Sequence, residues 1–138
     1  MQQIIPYLYY ENVGSAMTWL ARAFGFRKFG FKSSGPDGRI IHAAMKLDDG
    51  IVMMGCPGPE FRNPKRLGQA TQSLLLRVKD ADRHYARAKK AGAVILQEPE
   101  DMFNRDRRYG ATDPEGHEWY FTSSLSGSRQ RGKRKQGR

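Results

Sequence analysis

The apolar positions of the chain follow the same order twice. In each half, a short β-prone run is followed by a segment whose apolar residues are spaced three and four apart. The runs are IIPYLYY and SLLLRV, and the spaced positions are Val13, Ala16, Met17, Leu20 and Phe24 in the first half and Ala81, His84, Tyr85 and Ala88 in the second. Three-to-four spacing is typical of an amphipathic helix. The pattern therefore predicts a strand and then a helix at the start of each half.

Local signals mark both ends of these two helices. Asn12 and Asp80 stand where a side-chain oxygen can accept a free backbone N–H of the first turn. Gly25 and Gly92 follow the last apolar positions, where a left-handed residue commonly ends a helix. Corresponding parts of the two halves are about 68 residues apart, which indicates a duplicated unit.

Further strands are predicted after each helix. In the first half they are FRKFGFKSS, RIIHAAMKL and IVMMG, the last two separated by an Asp49-Gly50 hairpin signal. In the second half they are AVILQ, RDRRYGATD and HEWYFTS, with a loop expected at Glu98-Pro99-Glu100. These patterns predict an α+β fold in which two βαβββ modules form a curved mixed sheet around a cleft, with the helices outside. The first module is 1–56, the Pro- and Gly-containing linker is 57–71, and the second module is 72–125.

Composition argues against several other classes of protein. A chain of 138 residues is the size of one domain, here 1–125. The single cysteine, Cys56, excludes an internal disulfide framework. MQQIIPYLYY does not resemble a secretory signal, and no segment is apolar enough to span a membrane, so we expect a cytoplasmic protein. Much of the net charge of +10 comes from 126–138, which has six basic and no acidic residues and is predicted to be a disordered basic tail.

Several of these segments resemble the vicinal oxygen chelate superfamily, which comprises glyoxalases, bleomycin resistance proteins and extradiol dioxygenases. They are the run from Ile5 to Phe26, the run RVKDADRHYARAKKAGAVILQEPED, and DPEGHEWYF from Asp113 to Phe121 with Arg107, Arg108 and Tyr109 upstream. The resemblance covers nearly the whole chain up to Leu125. It implies paired βαβββ modules, frequent homodimers, and activities that range from isomerisation and ring cleavage to drug sequestration.

The resemblance also indicates where metal ligands would stand. Metal-dependent members carry a His on the first strand, a His at the start of the second module and a Glu on the last strand. These positions fall on Ile5, Ser73 and Tyr120, none of which is a usual ligand of a divalent ion. Glu118 would reach such a position only with an insertion, because a one-residue slip turns a strand's side chains to the other face. We therefore expect no metal cofactor.

Candidate ligand-binding residues lie on alternating positions of the strands. Alternation places Tyr7 and Tyr9 on the face of Ile5, Tyr120 on the face of Glu118, and His42 on the more polar face of RIIHAAMKL with Ile40. The candidates are Tyr7, Tyr9, His42, Arg77, Glu118 and Tyr120. His84, on a helix stripe, and His117, beside a turn, are expected to be structural.

These residues favour a small-molecule-binding protein that sequesters an aromatic or drug-like ligand without a metal ion, in which rings stack on the ligand. No catalytic residue is identified, so whether the protein is an enzyme stays open. One alternative is a metal-dependent lyase, isomerase or dioxygenase acting on an oxygen-rich small molecule. Another is association with nucleic acid through the basic tail.

Overall fold

Each half of the chain folds as a strand, a helix and further antiparallel strands in the computed structural model, which describes residues 2–125. The first half contains β1 (Tyr7–Tyr9), α1 (Val13–Phe24), β2 (Arg27–Lys28), β3 (Ser33–Ser34), β4 (Ile40–Leu47) and β5 (Gly50–Gly55). The linker contains a short helix, α2 (Pro64–Leu67). The second half contains β6 (Ser73–Arg77), α3 (Ala81–Lys90), β7 (Val94–Asp101), β8 (Asp106–Thr112) and β9 (Glu118–Ser124). The predicted α+β fold of two βαβββ modules is confirmed, and the predicted basic tail lies outside the described residues.

The two sheets have the same topology. The first has the strand order β1-β5-β4-β2, with β3 also paired to β4, and the second has the order β6-β9-β8-β7. In each sheet the first strand of the module pairs in parallel with the last, whereas the other pairs are antiparallel. The sequence duplication therefore corresponds to a repeated arrangement of strands.

Both long helices begin and end where the sequence predicts. The Asn12 side chain accepts the Ser15 N–H at 3.0 Å, and the Asp80 side chain accepts the Arg83 N–H at 3.1 Å. Helix α1 is followed by Gly25 in the left-handed conformation. Its five predicted apolar positions are all buried, so the three-to-four spacing identified the face that packs on the core.

One hydrophobic core serves both modules. The Phe24 ring of α1 lies 4.7 Å from the Phe121 ring and 5.6 Å from the Trp119 ring, both on β9. The buried cluster extends from these residues to side chains of β4 and β5 such as Met45 and Met54. Each sheet therefore has an inner face that packs on this core and an opposite face, which we call its open face. On the second sheet, Leu75 is exposed on the open face.

The structure corrects two expectations and adds one element that was not predicted. Strand β7 continues through Glu98-Pro99-Glu100, where a loop was predicted; it is the edge strand of its sheet, and its register with β8 shifts there. An edge position with irregular pairing tolerates the missing N–H of a proline. Ile40 packs against the core near Gly14, not on the face of His42, because pairing of β3 with β4 is irregular beside it. Helix α2, capped by Asn63, was not predicted.

A buried carboxylate joins the two modules. Asp113, which is 4% exposed, accepts the Tyr10 hydroxyl at 2.6 Å and the Trp119 indole N–H at 3.1 Å on one oxygen. Its other oxygen accepts the backbone N–H groups of Glu115 and His117, both at 3.1 Å. Burial, reinforced by the charge of Asp113, raises the pKa of Tyr10 and keeps its hydroxyl a donor. Asp113 thus connects the end of β1 to β9.

The turn of residues 113–116 also holds the linker. The Glu115 carboxylate accepts the backbone N–H groups of Glu11 at 2.6 Å and Asn12 at 2.9 Å, and the Asn63 side-chain amide at 3.0 Å. The Glu115 carbonyl oxygen accepts the Lys65 N–H at 2.9 Å. The acidic residues of the DPEG segment are therefore structural: they bind the start of α1 and helix α2 to the second module.

His84 is a partly buried histidine at the contact between the modules. Its Nε2 lies 2.8 Å from the Phe24 carbonyl oxygen and its Nδ1 2.5 Å from the Tyr109 hydroxyl. A neutral ring fits both bonds, with Nε2–H donating to the carbonyl and Nδ1 accepting from Tyr109. Burial lowers the pKa of His84, and Arg87 acts in the same direction, against the opposing effects of the Phe24 carbonyl and Asp48.

Acid should therefore destabilise the fold through His84. In the unfolded chain its pKa is near 6.5, so that state takes up the proton first as the pH falls. The stability contributed by the neutral ring is present above this pH and is lost progressively below it. We expect the free energy of unfolding in urea to fall more between pH 7.5 and pH 5.5 for the wild type than for His84→Gln. Equal losses would contradict this role.

No helix within residues 2–125 is long and apolar enough to cross a membrane.

Candidate ligand-binding site

The open face of the first sheet carries a cluster of predicted ligand-binding residues. The Tyr7 hydroxyl lies 2.5 Å from Nδ1 of His42, and the Tyr7 and Tyr9 rings meet edge to face with centroids 5.9 Å apart. Tyr7 and Tyr9 remain 43% and 50% exposed. Strand alternation explains this placement, because Leu8 between them is buried in the core. The structure therefore brings Tyr7, Tyr9 and His42 together.

The linker adds a third ring that sequence reasoning missed. The Phe61 ring stands edge to face with Tyr9, with centroids 5.9 Å apart. Tyr7, Tyr9 and Phe61 line a hollow of about 250 Å³ together with Leu67 and His117. His117 Nε2 lies 2.7 Å from the Tyr9 carbonyl oxygen, so this histidine holds the strand that carries both tyrosines. Phe61 had no detectable signal, because the linker has no periodicity.

The other three candidates share the open face of the second sheet but line different spaces. Arg77 forms a 3.4 Å ion pair with Asp106 and lines a groove of about 600 Å³ with Leu75 and other apolar residues. Glu118 lines a hollow of about 350 Å³ beside helix α2. Tyr120 lies against β8, near Arg108. The predicted set is thus distributed over both sheets, and its role in binding stays a prediction.

The residues at the family's metal positions do not fit a divalent ion. Ile5 has no donor atom, and the hydroxyl of Ser73 and the phenol of Tyr120 are weak ligands compared with imidazole or carboxylate. Within residues 2–125, no three His, Cys, Asp or Glu side chains are placed to hold a metal ion together. Ser73 pairs with Glu118 across β6 and β9, whereas Tyr120 pairs with Leu75. The expected lack of a metal cofactor remains a prediction.

The fold and sequence assign the chain to a family. A model of the Glyoxalase/Bleomycin resistance protein/Dioxygenase superfamily matches residues 3–121, and the chain belongs to this superfamily.

Its relatives include proteins of similar length. An uncharacterised protein from Mycobacterium bovis is 33% identical over 83% of this chain and 78% of its own length. The crystal structure of TioX from Micromonospora sp. ML1 is 33% identical, with a TM-score of 0.74 over 91% of this chain and all of TioX. The fosfomycin resistance protein FosX from Listeria monocytogenes, 10% identical with a TM-score of 0.66 over 90% of this chain and 93% of its own, shares the fold.

Proposed function

We propose that this protein binds a small planar molecule on the open faces of its sheets and does so without a metal ion. The observation that carries the proposal is the exposed pair of tyrosines, Tyr7 and Tyr9, which are in ring contact on the open face. Exposing aromatic surface to water is unfavourable, and a cluster of such surface marks a site of interaction. Membership of the superfamily supports a small-molecule ligand.

The cluster on the first sheet offers rings that can contact a planar ligand and a polar group that can orient it. The rings of Tyr9 and Phe61 present apolar surface beside one hollow, and aromatic rings prefer offset or edge contacts with planar groups. The bonded pair of Tyr7 and His42 supplies a polar group on the same face that can orient a ligand. None of these contacts requires a reactive group, so sequestration is the function that they support best.

A homodimer is part of this proposal. Leu75 and Ile4 are exposed large apolar side chains, and both line the groove that contains Arg77. A second copy of the chain that covered this surface would remove apolar area from water.

A neutral planar probe tests the proposal. We expect metal-stripped protein in chelator to bind 2-naphthamide saturably in a calorimetric titration. Tyr9→Ala should weaken this binding about three- to tenfold, as the loss of one aromatic contact predicts. Phe103→Ala is the control, because it removes a 97% exposed ring at the β7–β8 turn. Absence of binding to the wild type, or equal weakening in both variants, would reject the proposal.

A further inference from the structure

Arg108 occupies an uncommon position for a cation. In β8, Tyr109 and Ala111 are buried in the core, so Arg108 projects from the open face, where it is half-buried. Arg77 and Arg107 both form ion pairs with carboxylates. Arg108 forms no ion pair within residues 2–125, although Glu100 on β7 is its cross-strand partner. A half-buried charge without a direct contact to a counter-ion is unfavourable unless something compensates for it.

The guanidinium of Arg108 is held in place by a neutral group. Its Nε–H donates to the side-chain oxygen of Gln97 at 3.2 Å. The side-chain nitrogen of Gln97 donates in turn to Glu100 at 3.2 Å, so the amide stands between the carboxylate and the guanidinium. Because Gln97 uses the Nε–H, the two terminal NH₂ groups are the donors that Arg108 can offer to a ligand.

An aromatic surface lies next to this cation. The guanidinium carbon of Arg108 is 5.4 Å from the centroid of the Tyr120 ring. The ring rests directly on the backbone of β8 at Gly110, where a Cβ atom would stand 2.4 Å from a ring carbon. Glycine is therefore required at this position for the ring to lie against the sheet. The cation and the ring form one surface on the open face of the second sheet.

We propose that the open face of the second sheet binds a planar aromatic acid, whose carboxylate or similar anionic group binds Arg108 while its ring system contacts Tyr120. This inference rests on the proposed function and adds the chemical class of the ligand. A guanidinium presents its donors in a planar fork that matches a carboxylate, and such charge-assisted bonds are about twice as strong as neutral ones. The anion would also supply the direct carboxylate contact that Glu100, opposite Arg108 on β7, does not make.

Two matched probes distinguish binding to the Arg108 charge from contact with the Tyr120 ring. Calorimetric titration in chelator would compare 2-naphthoate with its neutral analogue, 2-naphthamide. We expect Arg108→Gln to weaken naphthoate binding about tenfold to hundredfold, but naphthamide binding by less than about twofold. Arg108→Lys should be intermediate for naphthoate, because it keeps the charge and loses the fork. Arg83→Gln, an exposed cation on α3, is the control and should change neither.

The outcomes distinguish this inference from the proposed function. If the wild type binds both probes equally and Arg108→Gln changes neither, the assignment of an acid is overturned while planar-ligand binding stands. If the wild type binds neither probe, both proposals fail. If Arg108→Gln loses both probes together with a lower unfolding midpoint, Arg108 has a structural role and the inference is overturned.

Discussion

Replacement of Asp113 by alanine is expected to lower the free energy of unfolding by about 3–4 kcal/mol. The change leaves the Tyr10 hydroxyl and the Trp119 N–H without their acceptor inside the core. It also removes the acceptor of the Glu115 and His117 backbone N–H groups. Buried donors that lose their acceptor cost more than the net value of the bonds they made. Urea unfolding followed by circular dichroism measures the difference.

Two further variants show whether the loss of stability comes from the buried carboxylate. Asp113→Asn keeps the shape of the side chain but replaces one accepting oxygen with a donor, so we expect a smaller destabilisation. Asp82→Ala removes a carboxylate that pairs with Arg107 near the surface, and exposed pairs contribute about 1 kcal/mol or less. If Asp113→Ala cost no more than Asp82→Ala, the buried carboxylate would not be what joins the modules.

Substitution of Gly116 by alanine is expected to destabilise the protein by about 2–4 kcal/mol, although it adds a single methyl group. Gly116 has a φ of 94°, which disfavours a side chain. Its Cβ would also stand 2.5 Å from the backbone nitrogen of Lys65, so the turn and helix α2 would have to separate. That movement would lengthen the bond from the Lys65 N–H to the Glu115 carbonyl. Urea unfolding of Gly116→Ala and of a control variant, Gly68→Ala, measures the effect.

Gly68→Ala is the matched control for this substitution. Gly68 ends helix α2 with a φ of 79°, but a Cβ there would meet nothing within 4 Å. It should cost only the backbone strain, about 1–2 kcal/mol. Equal losses for the two variants would show that the contact with Lys65 is not tight, and that the turn does not fix the position of the linker.

Local signals were sufficient for the two long helices. Caps at Asn12 and Asp80 and the spacing of apolar residues depend on neighbours within a few positions, and the structure confirms them. Strand pairing depends on residues far along the chain. Pro99 therefore suggested a loop, although β7 pairs with β8 beyond it. The face predicted for Ile40 was wrong because β3 pairs irregularly with β4.

The candidate site was predictable only in part, because some of its contacts depend on alternation within one strand and others on distant parts of the chain. Alternation along single strands placed Tyr7, Tyr9 and His42 on one face, and the structure brings them together. Arg108 carried an equivalent signal, since it alternates with buried Tyr109. Its lack of a direct ion pair with a carboxylate, however, becomes visible only when the neighbouring strands are in place. Phe61 reaches Tyr9 through the path of the linker, which no local pattern encodes.

The most direct test of metal-free ligand binding is a calorimetric titration of metal-stripped protein with 2-naphthoate in the presence of chelator. We expect saturable binding with an affinity that does not change when manganese, nickel, zinc or iron(II) replaces the chelator. Binding that appears only after one of these ions is added, with stoichiometric uptake of the ion, would contradict it and indicate a metal-dependent site.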